Sequence, residues 1–347
     1  MNIVYVYLNQ KLPKYALKNI LYFRSNFPNK KLIFISDLAY NIELIKSFGV
    51  ETYLAEKPTL VWEELANYKS VDLNFRGGFW LSTLARFHAL AQFMKTNPEQ
   101  SVLQVECDVL LLPDFPFQMI YQTNTGIAFP IVNNTDAVPS LVFFKNASHA
   151  TKLLEFMSRK MVMESHTTDM TILGQYSIDF PELVTILPTN FSTNFGYQPW
   201  VELDLKKRMS KNIGIYKGVF DAATWGQYLT GEDPRNTLGI RRVFHTLKHH
   251  AIDPSKFVWD FNESSGKITL SNGEEIFPLF CLHIHSKDLK CFEINPGRRI
   301  QKRINSLPRG QKLEFLVRTS ILNFKLTTLK LILRARFLKL KKQLDTF

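Results

Sequence analysis

Two carboxylates, Glu106 and Asp108, interrupt an apolar stretch that reads Ser-Val-Leu-Gln-Val-Glu-Cys-Asp-Val-Leu-Leu-Leu-Pro-Asp over residues 101–114. In an extended segment, acids at i and i+2 project from the same face. Burying two carboxylates side by side is costly unless a cation or hydrogen-bond donors neutralise them. Flanked by Val102, Leu103, Val105, Val109, Leu110 and Leu111, the pair is not freely solvated. A divalent cation of the Mg²⁺ or Mn²⁺ kind takes oxygen ligands from one or two carboxylates together with substrate phosphates. The expectation is therefore a metal held at a strand end on a phosphorylated substrate. A capped or salt-bridged strand end is the alternative, and Glu202-Leu-Asp204 has the same acid-x-acid form in what reads as a solvated surface pair.

Other groups stand where they could join such a site. Two histidines, His283 and His285, fall at i and i+2 in the alternating segment Leu-His-Ile-His-Ser-Lys at 282–287, and imidazole suits Mn²⁺ better than Mg²⁺. Asp169 opens a helix pattern, where the dipole favours an acid in the first turn. Asp37 follows the second strand pattern and is a candidate contact for a nucleoside, or a plain strand-end turn. Asp221 and Gly231 bracket a short helix as its N-cap and C-terminal glycine.

These residues need a frame, and the periodicity supplies one. Residues 2–9, Lys31 to Asp37 and Val50 to Leu54 read as strands, with helices over Tyr15 to Phe23 and Ile42 to Phe48 between them. Phe79 to Lys95 repeats apolar residues at three to four and predicts a strong helix directly before the acid-bearing strand. Gly126 to Pro130, Ser140 to Lys145 and Val184 to Leu187 read as further strands, and His149 to Met161 and Thr168 to Tyr176 as helices. This alternation is the signature of an α/β sheet, whose ligands bind outside the carboxyl ends of the strands. Beyond about residue 195 the pattern is irregular, rich in Gly, Asn and aromatics. Residues 56–78 read as a loop-rich excursion ending in Arg76-Gly77-Gly78.

Bulk properties narrow the classes. The chain of 347 residues is 45% apolar and 21% charged, with 28 Phe, enough for an ordinary globular core and a length suggesting about two domains. No run approaches the ~20 apolar residues that span a bilayer. Met1 begins directly in a strand pattern, which argues against secretion and against an N-terminal membrane anchor. The cysteines Cys107, Cys281 and Cys291 lack zinc or disulfide-framework spacing, so a cytoplasmic location is expected. From Arg298 onward there are 14 basic residues and two acids, a net of +12 that equals the charge of the whole chain, while residues 1–297 hold 29 of each sign. The body is thus neutral, and with no recognised motif nucleic acid is not an expected partner; a protein binding nucleic acid through its basic tail is the weaker alternative. No P-loop, dinucleotide or nucleophile-elbow motif is present in the body. The tail places Leu322, Leu326, Leu329, Leu333, Phe337 and Leu340 in one stripe flanked by Lys and Arg, which predicts a helix lying on an anionic membrane surface, or packed on the body or a second copy.

The order of a helix carrying Arg86-Phe87, a strand, Glu106-x-Asp108 and Val-Leu-Leu-x-Pro resembles GT-A-type glycosyltransferases, in particular those of bacterial capsule and lipopolysaccharide (surface polysaccharide) biosynthesis. Phe-Trp-Leu-Ser-Thr-Leu-Ala-Arg-Phe at 79–87 is similar to the helix preceding their metal motif; related enzymes often carry Asp three residues before the Arg, where this chain has Thr83, and Asp-x-Asp where this chain has Glu106-x-Asp108. The block from Phe220 to Asn236, with Asp221, Gln227 and Tyr228, resembles a segment of such enzymes. The resemblance implies a GT-A-like Rossmann-type mixed sheet with helices on both faces. It implies residues 1–195 as a nucleotide-sugar-binding half and 196–296 as an acceptor-side and site-completing segment, ahead of the basic helical tail that charge and periodicity mark at 297–347. It implies a nucleotide-sugar donor and a glycan or lipid-linked acceptor, on the inner face of the plasma membrane. Glu106, Asp108 and the late His285 then hold the metal on the diphosphate. Arg86, Gln227 and Lys287 contact the donor or acceptor, with Lys287 a point charge on the leaving diphosphate. Asp169 and Asp221 are the catalytic candidates. A binding relative that keeps the fold without turnover has the same features.

Overall fold

In a computed structural model, residues 1–56, 79–163, 167–233, 249–293 and 296–307 are described. The excursion through Arg76-Gly77-Gly78, the Pro234-Arg235-Asn236 end of the downstream block and the expected tail helix lie outside them. Residues Met1–Asn305 form one compact unit and Ser306–Phe347 a second.

The first unit is built on a seven-stranded sheet. Short strands rich in β-branched and aromatic residues alternate with helices: β1 (Asn2–Val6), α1 (Lys14–Asn26), β2 (Leu32–Ser36), α2 (Ala39–Lys46), β3 (Glu51–Leu54), α3 (Phe79–Lys95) and β4 (Val102–Val105). After β5 (Val109–Leu111) and α4 (Phe117–Tyr121) come β6 (Ile127–Pro130), β7 (Leu141–Phe144), α5 (Ala147–Met163), α6 (Asp169–Asp179) and β8 (Val184–Leu187). The sheet order is β3-β2-β1-β4-β7-β6-β8. β1 runs parallel to β2 and β4, whereas β7 is antiparallel to both β4 and β6, so the sheet is mixed. Register places Tyr5 opposite Phe34 on one side and Val105 on the other.

β1, β2 and β4 are buried on both faces, which is why they read as nearly continuous apolar runs. Ile3, Tyr5, Leu32 and Phe34 share a core with Ala16, Ile20 and Phe23 of α1 and with Ile42 and Ile45 of α2. Alternation sends Val4, Ile33 and Ile35, equally buried, to the opposite face, where α3 contacts β1 and β2. Helices thus cover both faces.

The chain order reverses between β1 and β4. In open α/β sheets the crevice at such a switch point, outside the carboxyl ends of the strands, is where ligands bind.

Downstream, α7 (Leu203–Ser210), α8 (Ile213–Tyr216) and α9 (Thr224–Thr230) precede a three-stranded antiparallel sheet of β9 (Val258–Asn262), β10 (Lys267–Ser271) and β11 (Ile276–Leu279), then β12 (Cys281–His283) and α10 (Gly297–Asn305). A chain of ring contacts, Phe23–Phe117–Phe115–Phe220–Phe280, with centroids 4.7 to 6.4 Å apart, ties the segment before α9 to the main core. This use of large rings accounts for part of the high Phe content. β12 pairs antiparallel with β5, setting His283 opposite Val109. Helix α10, whose basic residues group it with the tail in sequence, buries Ile300 and Ile304 within the first unit.

Helix α6 starts on a reciprocal cap: Thr168 Oγ1 accepts the Thr171 N–H at 3.2 Å and Thr171 Oγ1 accepts the Thr168 N–H at 3.0 Å. Gly174 presses this helix onto the turn at Asn133–Asp136; a Cβ there would lie 1.9 Å from the Thr135 carbonyl oxygen. Gly174→Ala is expected to cost about 1–3 kcal/mol, the range for overpacking a close contact. A urea midpoint equal to that of the wild type would mean that α6 can shift away from the turn freely.

Candidate active site

The acids do not continue the strand. After β4 the chain makes a tight turn in which the Val109 N–H donates to the Glu106 carbonyl at 3.0 Å, and the Glu106 N–H donates to the Ser140 carbonyl at 3.0 Å. The expected extended geometry is replaced by a turn at the carboxyl end of β4, which still brings both side chains to one side while Cys107 is buried between them. The turn is held from below by Asn19 of α1, fully buried, whose Nδ2 donates to the carbonyls of Cys107 (3.2 Å) and Val109 (2.8 Å).

Antiparallel pairing of β5 with β12 delivers a histidine to the acids, and it is His283. Its Nε2 lies 3.1 Å from Asp108 Oδ2 and 3.6 Å from Glu106 Oε2. Ligand atoms of Glu106, Asp108 and His283 all lie within 4.8 Å of one another. The late histidine expected from sequence was His285. It lines the same cavity, its ring 4.5 Å from that of His283, but the group that converges contains its neighbour two residues earlier. The reason is local: β12 ends at His283, the His285 N–H turns back to the His283 carbonyl at 2.9 Å, and the Ile284 N–H donates to the Asp108 carbonyl at 2.8 Å. The two rings therefore do not share a strand face.

Cations balance the acids. Arg86, on α3, forks between Glu106 and Asp169, one terminal nitrogen on each carboxylate. Lys287 Nζ pairs with Asp108 and stands 5.3 Å from the centre of the Tyr15 ring. Lys287 adopts a left-handed backbone, φ 52°, uncommon for a residue with a side chain, steadied by its N–H on the Ile284 carbonyl at 3.0 Å. These groups line a cavity of about 340 Å³ that opens at the carboxyl ends of β1 and β4. Its other walls come from Tyr7, Leu8 and Gln10 after β1, Trp80 and Thr83 on α3, and Gln227 on α9.

No family model matches the chain, and no curated protein matches it. Among solved structures, an active-site mutant of LgtC aligns at TM-score 0.39 and 13% identity, over 57% of this chain and 75% of that one. The PaToxG glycosyltransferase aligns at TM-score 0.31 and 13% identity, over 52% and 69%. The inositol-1-phosphate CTP transferase from T. maritima aligns at TM-score 0.32 and 11% identity, over 54% and 84%. Likenesses this distant do not bear on activity.

Of the residues singled out in the sequence, Arg86, Glu106, Asp108, Asp169, Gln227, His285 and Lys287 all line the cavity. Asp37 and Asp221 do not. Asp37 Oδ1 instead accepts the N–H of Asn9 (2.8 Å), itself left-handed at φ 66°, and so shapes the loop that carries Tyr7, Leu8 and Gln10. Asp221, expected as a catalytic acid, is fully buried with its carboxylate taken up by backbone amides. Tyr15, Trp80 and His250 line the cavity without having been singled out; single aromatic or histidine residues carry no spacing that marks them.

Electrostatics follow from the packing. Burial works to raise Glu106, but Arg86, His283 and Lys287 outweigh it and hold its carboxyl below the usual range. Burial wins at Asp169, which is raised despite Arg86. Burial also lowers His283 against the pull of Glu106 and Asp221, leaving a neutral imidazole at neutral pH. Two carboxylates and a neutral imidazole are a donor set that fits Mn²⁺, and the nitrogen facing the acids is Nε2, while Nδ1 is buried without a hydrogen-bond partner among the described residues.

His250, half-buried with Nδ1 2.9 Å from Thr224 Oγ1, is lowered to about 4 by burial and by His249 and His283. Both His250 and His283 bind protons more weakly when folded than unfolded. Their contribution to stability is therefore complete above about 6.5 and is lost as pH falls below it, that of His250 toward about 4. In metal-free protein, the urea midpoint is expected to drop across that window, and His250→Gln to flatten the drop. A midpoint independent of pH between 6.5 and 4.5 would contradict this.

Proposed function

We propose that the protein is a metal-dependent glycosyltransferase that moves a sugar from a nucleotide-sugar donor to a glycan or lipid-linked acceptor. The observation that carries this reading is the convergence of Glu106, Asp108 and His283 within 4.8 Å at the β1/β4 switch point, with Lys287 on Asp108. Two acids, an imidazole and an ammonium lining one cavity suit a diphosphate. Glu106, Asp108 and His283 would hold the cation, which when bound supplies positive charge where the leaving diphosphate becomes negative.

The protein's own groups account for the rest of the chemistry. The loop at Tyr7, Leu8 and Gln10 borders the donor's nucleoside end, and Lys287 serves the diphosphate. Transfer breaks the bond between the anomeric carbon and the diphosphate oxygen, with the electron pair leaving on that oxygen. The acceptor oxygen bonds to the carbon, and its proton passes to a carboxylate. Asp169, in the cavity wall and raised by burial, is the acid outside the metal group that we assign to this step, and Arg86 orients it. Gln227, which also lines the cavity, would hydrogen-bond the sugar or the acceptor.

The acceptor class we favour is a lipid-linked or surface glycan, with basic residues from Arg298 onward, other than Arg299 and Arg303 that pair with Asp288, holding the enzyme at an anionic leaflet. No helix among the described residues is long and apolar enough to cross a membrane. A screen of nucleotide-sugars, following nucleotide release with Mn²⁺ and with chelator, tests the reading. Release that needs the metal supports it; metal-dependent binding without release selects a non-catalytic binder, and release unaffected by chelator rejects the metal.

A further inference from the structure

Asp221 lies outside the cavity, yet it is bonded to both halves of the site. Oδ1 accepts the Trp225 N–H at 2.9 Å, and Oδ2 accepts those of Gly226 at 2.7 Å and His283 at 2.8 Å. Its main chain is fixed as well: the carbonyl accepts Ser140 Oγ at 3.0 Å, and the N–H donates to Cys281 Sγ at 3.3 Å. Ser140 in turn accepts the Glu106 N–H through its own carbonyl. A buried path therefore runs from the Glu106 main chain through Ser140 and Asp221 to the His283 main chain, and closes through His283 Nε2 onto Asp108.

Two of the three carboxylate bonds are what the start of a helix asks for. α9 follows Ala223, which is left-handed at φ 66° and offers no side-chain cap, so Asp221 supplies acceptors to the first free amides from two residues farther back. The third bond, to β12, has no part in capping. Gly226 closes the opposite side: a Cβ there would lie 2.1 Å from the His283 carbonyl oxygen and 2.7 Å from Asp221 Oδ2. The His283 peptide is thus held by its N–H on Asp221 and by its carbonyl against α9.

We infer that Asp221 is a positioning residue that sets His283 against Glu106 and Asp108. This rests on the reading of those three residues as a metal site. It accounts for a charged group spent on backbone amides at a place where Ser or Thr would cap the helix alone.

The test is Mn²⁺ binding by the full chain at fixed pH, read as a dissociation constant and as the nitrogen modulation of bound imidazole in pulsed electron paramagnetic resonance. Asp221→Asn keeps the shape but turns one carboxylate oxygen into a donor facing amide N–H groups, so at least one of the three bonds is lost and the bond to the His283 N–H loses the negative charge that strengthens it. The constant is expected to rise about 10- to 100-fold, as for other outer-shell partners of a metal ligand, with weakened nitrogen modulation. A folded Asp221→Asn with a lowered thermal midpoint but wild-type constant and modulation overturns the inference, because a merely structural cap would behave that way. Ser140→Ala removes one link of the same path and guards against an Asp221→Asn that does not fold: a smaller loss in the same direction supports the inference, and no change overturns it. Wild-type protein without nitrogen modulation also overturns it, since His283 is then no ligand. If instead the wild type binds Mn²⁺ through nitrogen, and Asp221→Asn loses it, but no nucleotide-sugar is turned over, the positioning role stands and the glycosyltransferase reading falls.

Discussion

Asp108→Ala is expected to lower kcat/KM for nucleotide release by at least about 10²-fold, the scale seen when one preorganised electrostatic contact is removed from an active site. Asp108 Oδ2 receives both His283 Nε2 and Lys287, so this single oxygen joins the imidazole to the ammonium proposed to serve the diphosphate. Its side chain is 12% exposed, at the cavity wall, and its main-chain carbonyl keeps the Ile284 N–H whatever the side chain is. The fold is therefore expected to survive. Leaving a partly buried ammonium without its partner costs about 1–3 kcal/mol, and the Tyr15 ring beside Lys287 offsets part of that. Lys287→Ala separates the two roles: Mn²⁺ binding should persist while turnover falls. Full turnover by Asp108→Ala would remove the acids from the mechanism.

Why these two acids were visible in the sequence, and the histidine that converges on them only in part, has a physical explanation. An acid pair inside an apolar run is a local anomaly, and the strand-helix alternation around it is a local period, so both β4 and the character of the site could be read directly. Their geometry could not. The turn after Glu106 depends on Asn19 from α1 and on Ser140 beside β7, contacts between segments far apart in the chain. The choice of His283 over His285 is likewise set by where the β5–β12 pairing ends, and alternation alone treats the two as equivalent. The same limit applies to Asp221, whose N-cap reading captured the bonds to α9 and missed the one to β12. The β9–β11 sheet is a different case: Asn272-Gly273, with Gly273 at φ 96°, follows the alternating Ile268 and Leu270 and is a hairpin signal available in the sequence. Surrounding Gly, Asn and aromatic residues masked it.

Arg86→Met is expected to give the largest loss of stability, about 3–5 kcal/mol at neutral pH, because it leaves the buried Asp169 and the partly buried Glu106 without the cation they share. The Arg86 side chain is 9% exposed and Asp169 only 3%, so water cannot replace the guanidinium. The pH dependence identifies the cause. In the wild type, Glu106 sits below its ordinary value of 4.5; its contribution is present above that value and is lost as pH falls through the lowered one. Without Arg86, burial and mutual repulsion raise Glu106 and raise Asp169 further, so the folded variant holds a proton that the unfolded chain releases. Its stability then declines as pH rises from about 4 toward neutrality, and the gap to the wild type widens over that range. Adding Glu106→Gln should narrow the gap at pH 7 by removing one of the opposed charges, without restoring turnover. An equal deficit at pH 4.5 and pH 7 would mean that Arg86 acts through the packing of its stem and its contact over Phe87, 5.2 Å from the ring centre, and not through charge.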